Sequence, residues 1–290
     1  MSTGFSLFVI FGTLGSLVAY TLLLLMNRKV ERPGETTGHV YDGIEEYDNP
    51  MPAWWFWGFL LSIIFALGYL IYYPGLGNFP GIGGWTSEGA LAADQERAEE
   101  RYGPVFAQYR SVPIDDLVND TAAMRMGQRL FANSCAQCHG AAGSGSLGYP
   151  DLTDDHWQWG SSAEDIRTTL MNGRRGVMPA WAGALDEYGI RDVTEYVMQL
   201  SGRPANEQQA ISGATHFAQL CAACHGADAT GQPLLGAPNL TRDNWLYGGT
   251  RQQIADVIRE GRNGEMPPFA DRLGEDRIHI LSAYVRSLSR

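Results

Sequence analysis

Cys135, Cys138 and His139 stand in the run CAQCHG, and Cys221, Cys224 and His225 stand in CAACHG 86 positions later; together they use all four cysteines of the chain. Two thiols three apart, followed at once by an imidazole, suit few kinds of chemistry. A disulfide between cysteines this close meets the required geometry poorly unless the pair is a redox catalyst. A thioredoxin-like catalyst would open a helix after an apolar strand, whereas each motif here follows a helix-like segment, GQRLFANS or GATHFAQL. A structural zinc needs four ligands, and one copy supplies at most three on a short turn. The remaining reading is covalent haem c, in which both thiols add to the vinyl groups and the adjoining imidazole ligates iron. Two motifs then mean two covalently bound haem c groups, attached at Cys135, Cys138, Cys221 and Cys224, with His139 and His225 as axial ligands.

A haem iron so held needs a sixth ligand or a reason to lack one. Beyond the motifs the two halves align at an offset of 88: Asp151-Leu152-Thr153 with Asn239-Leu240-Thr241, Trp157 with Trp245, Gly173-Arg174 with Gly261-Arg262, Met178-Pro179 with Met266-Pro267, and Tyr196-Val197 with Tyr284-Val285. The Met-Pro pair is the one soft ligand that repeats, so Met178 and Met266 are the candidate thioether ligands; proline fixes an extended turn from which the sulfur is presented. Met124, Met126, Met171 and Met198 lack that pattern and read as core filler. His156 faces Asn244, His279 faces Arg191 and His216 faces Leu130 in the alignment, so these histidines read as surface or satisfied core residues. His/Met ligation raises a haem potential relative to bis-histidine, which suits an electron carrier. Pairing within each half, His139 with Met178 and His225 with Met266, is the default for independent domains. An exchange between tightly packed repeats would use the same four residues. Arg174 and Arg262 are candidates for pairing with haem propionates.

The elements that must position these groups are helical. Each half opens with a helix carrying Gly-x-x-x-Phe (Gly127 and Phe131; Gly213 and Phe217) and closes with one containing Tyr196 or Tyr284, with apolar residues at helical spacing in 162–172 and 250–260. No strand-like alternation of useful length stands out. The soluble part is therefore expected to be all-α, with a first haem domain over 120–203 and a second over 204–290. Upstream, Phe5 to Met26 and Trp54 to Tyr73 are charge-free apolar runs, each long enough to cross a bilayer of about 30 Å. The first run lacks a basic leader and a small-residue cleavage site, so it is expected to be a retained span rather than a signal peptide. Arg28, Lys29 and Arg32 place the loop between the spans in the cytoplasm and both termini on the periplasmic side. Residues 1–73 then form a membrane anchor, and 74–119 a periplasmic linker with a polar helix. Neither span holds a histidine, so any intramembrane haem b or copper centre belongs to a partner. The net charge of −11 argues against nucleic acid and suits a small basic electron carrier.

The Gly-x-x-x-Phe helix, Cys-x-x-Cys-His, Met-Pro and closing Tyr helix together resemble class I cytochrome c domains in tandem. The segment GHVYDGIEEYDNPMPAWW, followed by a span ending YYPGLGNFPG, is similar to the membrane anchor of the dihaem cytochrome c subunit, subunit III, of cbb3-type cytochrome c oxidases. That resemblance covers nearly the whole chain. It implies a subunit that takes electrons from the bc1 complex, usually through a soluble or anchored cytochrome c. They pass on to a monohaem cytochrome subunit and then to the haem-copper catalytic subunit, which reduces oxygen and pumps protons. No residue of this chain is then expected to be catalytic. The other readings are a dihaem peroxidase, which two Met-Pro loops in register disfavour, and a dihaem electron acceptor for a periplasmic dehydrogenase, which differs in its partner.

Overall fold

Residues 1–28, 34, 36–47 and 49–289 are described by a computed structural model, so Lys29 and Arg32 lie outside the described residues. The chain divides into two units, Met1–Glu99 and Glu100–Arg290.

In the first unit, α1 (Thr3–Met26) and α2 (Ala53–Tyr72) are long and apolar enough to cross a membrane, with mean hydropathy of 2.2 and 1.8. Their side chains are mostly exposed, as expected where lipid or other helices provide the apolar surroundings. Hydroxyls within them are satisfied internally: Ser16 and Thr21 donate to the Gly12 and Leu17 carbonyls, and Ser62 to that of Phe59. The helices run antiparallel, since the turn after α2 returns to the start of α1. The Asn78 N–H donates to Ser6 Oγ at 2.8 Å, and Gly77, at φ +56°, presses on the Ser6 backbone where a side chain would clash. Between them lies a hairpin that the sequence reading did not foresee, β1 (Thr36–Tyr41) and β2 (Ile44–Tyr47). Its turn is Asp42-Gly43, both residues at positive φ, as a two-residue primed turn requires.

Helix α3 (Ser87–Ala107) leads into the second unit, where α4 (Ile114–Leu117) is not linker but core. Leu117, at 1% exposure, packs with Ala123, Ile280 and Ala283. The His279 ring lies 2.8 Å from the Val112 carbonyl through Nε2, which makes it a satisfied structural histidine. The first half continues as α5 (Thr121–Ser134), α6 (Ala136–His139), α7 (Ala163–Asn172), β3 (Arg174–Met178) and α8 (Glu187–Leu200). The second repeats the order as α9 (Glu207–Leu220), α10 (Ala222–His225), α11 (Arg251–Glu260), β4 (Arg262–Met266), the short α12 (Ala270–Leu273) and α13 (Glu275–Leu288). Side chains cap both middle helices: Ser162 with Asp165 and Thr250 with Gln253 form reciprocal capping boxes.

The halves do not fold as two separate domains in succession. Helix α8 packs on α9 and α11, and α13 packs on α5 and α7. The crossings are close because glycine stands at each: Gly127 lies against Tyr284, and Gly213 against the Asp192 backbone. Phe131 meets Tyr284 at 5.5 Å and Phe217 meets Tyr196 at 5.3 Å between ring centroids. The short 201–206 connection favours this arrangement, because consecutive helices joined by few residues pack as neighbours. Strands β3 and β4, one from each half, pair antiparallel with Gly176 opposite Gly264, so the ribbon lies at the centre of the exchange. Among its described residues the second unit is helix-rich, as the all-α expectation requires in outline, with loops and this one short two-stranded ribbon between the helices.

Candidate haem-binding sites

Both motifs are built alike. Helices α5 and α9 end on Cys135 and Cys221, whose N–H groups donate to the Phe131 and Phe217 carbonyls at 2.8 Å. The next turn carries the second cysteine and the histidine, and then Gly140 and Gly226, at φ +77° and +81°, turn the chain away. His139 and His225 are buried. Nδ1 of His139 lies 3.0 Å from the Pro150 carbonyl, and Nδ1 of His225 lies 3.1 Å from that of Pro238. A carbonyl accepts only, so each Nδ1 carries the proton and each Nε2 is left with a free lone pair. That is the tautomer an iron ligand needs. Pro150 and Pro238 also align in the repeat; the shared Pro-Asx-Leu-Thr run carried this signal, and the sequence reading used only its last three residues. Asx turns after each proline fix the carbonyls, with the Thr153 N–H bonded to Asp151 at 2.7 Å and the Thr241 N–H to Asn239 at 2.8 Å.

Burial pushes the Cys135 and Cys221 thiols each up to about 11, so both are neutral and pack as small apolar groups. The same effect holds the His225 imidazole below its usual value, partly opposed by the Pro238 carbonyl, and neutral imidazole is the ligating form. Cys138 is half-buried and Cys224 exposed, which leaves one side of each motif near solvent.

The methionines are where the expectation of local pairing gives way. Met178 joins the apolar cluster of Phe217, Cys221, Ile254 and Ile258, on the side of the second motif. Met266 joins that of Phe131, Cys135, Ile166 and Leu170, on the side of the first. Backbone contacts hold them there reciprocally. Gly261, at φ +71°, closes on the Met178-Pro179 backbone, and Gly173, at φ +70°, on that of Met266-Pro267. The Trp181 N–H donates to the Ile258 carbonyl at 3.0 Å, and the Phe269 N–H to that of Leu170 at 2.9 Å. Each half therefore delivers its methionine loop to the motif of the other.

Arg174 and Arg262, at the starts of β3 and β4, are anchored within their own halves, Arg174 through Thr169 of α7 at 2.8 Å and Arg262 through the Gly261 carbonyl at 2.6 Å. Each guanidinium also lies over an aromatic ring, Arg174 over Trp159 at 5.2 Å and Arg262 over Tyr247 at 5.4 Å. His156 has Nδ1 3.1 Å from Asp155 and 3.6 Å from Asp154 but in hydrogen-bond geometry with neither. Asp155 in turn pairs with Arg242 at 2.9 Å.

Residues 33–80 match the family described as the N-terminal domain of cytochrome oxidase-cbb3, FixP. Residues 122–197 and 208–285 each match cytochrome c oxidase, cbb3-type, subunit III. The chain is 43% identical to the cbb3-type cytochrome c oxidase subunit CcoP of Rubrivivax gelatinosus, over 100% of this chain and 96% of that one. It is 41% identical to the CcoP subunit of Cereibacter sphaeroides, over 89% and 96% of the two chains. To the FixP subunit of Azorhizobium caulinodans it is 38% identical, over 87% and 92%.

Proposed function

This chain belongs to the subunit III family of cbb3-type cytochrome c oxidases as a membrane-anchored cytochrome c subunit, and from that premise we propose how it carries electrons. It would hold two covalent haem c groups: one through Cys135 and Cys138 with His139 and Met266 as iron ligands, the other through Cys221 and Cys224 with His225 and Met178. The reciprocal seating of the methionine loops carries this assignment.

Haem c supplies a one-electron couple. The cysteine sulfurs would fix its orientation, and the Pro150 and Pro238 carbonyls hold the imidazole tautomer. The Met178 and Met266 sulfurs would favour the reduced state, and burial would keep water reorganisation small. The relay runs from a soluble or anchored cytochrome c or the bc1 complex, through this chain, to the monohaem cytochrome subunit and the haem-copper catalytic subunit that reduces oxygen. The spans lie in the bacterial inner membrane with Arg28 on the cytoplasmic side, and residues from 74 onwards lie in the periplasm. A haem-edge approach by a small basic donor fits the net charge of −11.

Met178→His should remove the near-infrared thioether–ferric band of the second haem and lower its potential, and Met266→His should do so for the first. Loss of the first haem's band in Met178→His would restore pairing within each half. Membranes lacking this chain should lose cyanide-sensitive oxygen uptake with reduced cytochrome c. Normal uptake in such membranes would favour service to a periplasmic dehydrogenase instead.

A further inference from the structure

Each proximal histidine leans on a short loop, and each loop is clamped by an aromatic residue from the opposite half. In the second half, Gly231 N–H bonds the His225 carbonyl at 2.8 Å, and Gln232 and Ala237 bond each other through both backbone groups at 3.0 and 3.2 Å. This tight ring delivers Pro238. On it lie Trp159 and Gln158 of the first half: the Gln158 amide donates to the Gly236 carbonyl, and the indole covers Gly236 so closely that a methyl group there would collide with it. In the first half the Gly145 N–H bonds the His139 carbonyl at 2.8 Å, Ser146 and Tyr149 bond each other at 3.1 and 2.8 Å, and Pro150 follows. Residues of the second half lie on it: the Gly148 N–H donates to the Leu246 carbonyl at 2.7 Å, and the Tyr247 ring flanks Gly148. Trp159 and Tyr247 occupy aligned positions. Both reach back to the central ribbon, Trp159 beside Gly176 and Tyr247 beside Gly264, under Arg174 and Arg262.

We propose that Trp159 and Tyr247 are positioning residues that set the proximal histidine of the opposite site, Trp159 acting on His225 and Tyr247 on His139. Each acts through the loop it covers, Trp159 through Gly236 and Tyr247 through Gly148. Each fixes a carbonyl, the carbonyl fixes the donation from Nδ1, and that donation sets how strongly the imidazole stabilises ferric iron. With the methionines also exchanged, each half then controls both faces of the site on the other. The proposal rests on the haem assignment above, but on its histidines rather than its methionines.

The test uses the full chain in detergent with both haems attached. His225→Ala alters the signal of the second haem and so identifies it without reference to any methionine. Trp159→Ala should then shift the second haem towards its ferrous form by about tenfold, about 59 mV for one electron, and speed deuterium exchange at the His225 Nδ1 proton, with the first haem unmoved. Tyr247→Ala should do the converse, and Trp159→Phe should restore most of the parent behaviour. Unmoved potentials with unchanged exchange, or equal movement of both haems as general loosening would give, overturns the proposal. Failure of the methionine pairing alone is read separately, from the thioether bands of Met178→His and Met266→His.

Discussion

Gly213 shows how one missing side chain sets a helix crossing. A Cβ there would strike the Asp192 carbonyl, which is backbone and cannot rotate aside. Gly213→Ala should therefore destabilise the haem unit by about 1–3 kcal/mol, read as a fall in the thermal unfolding midpoint of the holo chain. Gly183→Ala, with nothing within 4 Å, should change it little. An unchanged midpoint in Gly213→Ala would mean that α9 and α8 can slide apart at no cost. The helix glycines, the cysteines, the motif histidines and the Met-Pro methionines were legible in sequence because they repeat, at an offset of 86 up to the motifs and 88 beyond them. Pro150 and Pro238 repeat too, yet what matters there is a backbone carbonyl, which no residue type announces. Trp159 and Tyr247 escaped notice because they align as different residues and act on the opposite half.

At the scale of elements, the second site has a tie that the first lacks. Glu195 on α8 is buried and accepts from Arg251 Nε of α11 at 2.6 Å and from the Asn206 N–H at 2.7 Å. The aligned positions are Ala283 and Ala163. Burial alone would raise the Glu195 carboxyl, but the Arg251 guanidinium and the Asn206 N–H outweigh it and hold the group below its ordinary value of 4.5. A depressed folded value adds stability that is fully present above pH 4.5 and is lost as pH falls through the lower folded value. Glu195→Gln should thus cost about 1–3 kcal/mol at neutral pH and flatten the acid limb of the pH–stability profile. An unaltered acid limb would assign that limb to other carboxylates. The major helices were legible from their 3.6-residue apolar period. The β1–β2 hairpin carries a readable Asp-Gly turn between the apolar residues Tyr41 and Ile44. Strands β3 and β4 carried none, since RRGVM and RNGEM show no two-residue alternation and pair only because the two halves meet.

At the scale of the whole molecule, the interleaving makes each candidate haem site depend on both halves of the sequence. The inner face of α5, with Ala123, Gly127 and Phe131, is covered by α13, and the inner face of α8, with Ile190, Val193 and Val197, is covered by α9. A chain of residues 100–203 would keep the first motif but lose α13, Met266 and the Phe269 bond to Leu170. It would also expose the face of α8. Two escapes are open to such a fragment: α8 folds back onto its own α5, or two copies exchange α8 as the halves do here. The tight 174–178 segment and the seating of Met178 against the opposite site favour exchange, so the fragment should form a dimer. Residues 100–290 should be monomeric with two thioether-ligated haems. Sedimentation together with the near-infrared band distinguishes the cases. A monomeric fragment with a normal band would show that each repeat can close on itself, and that the exchange comes only from the short connection between α8 and α9.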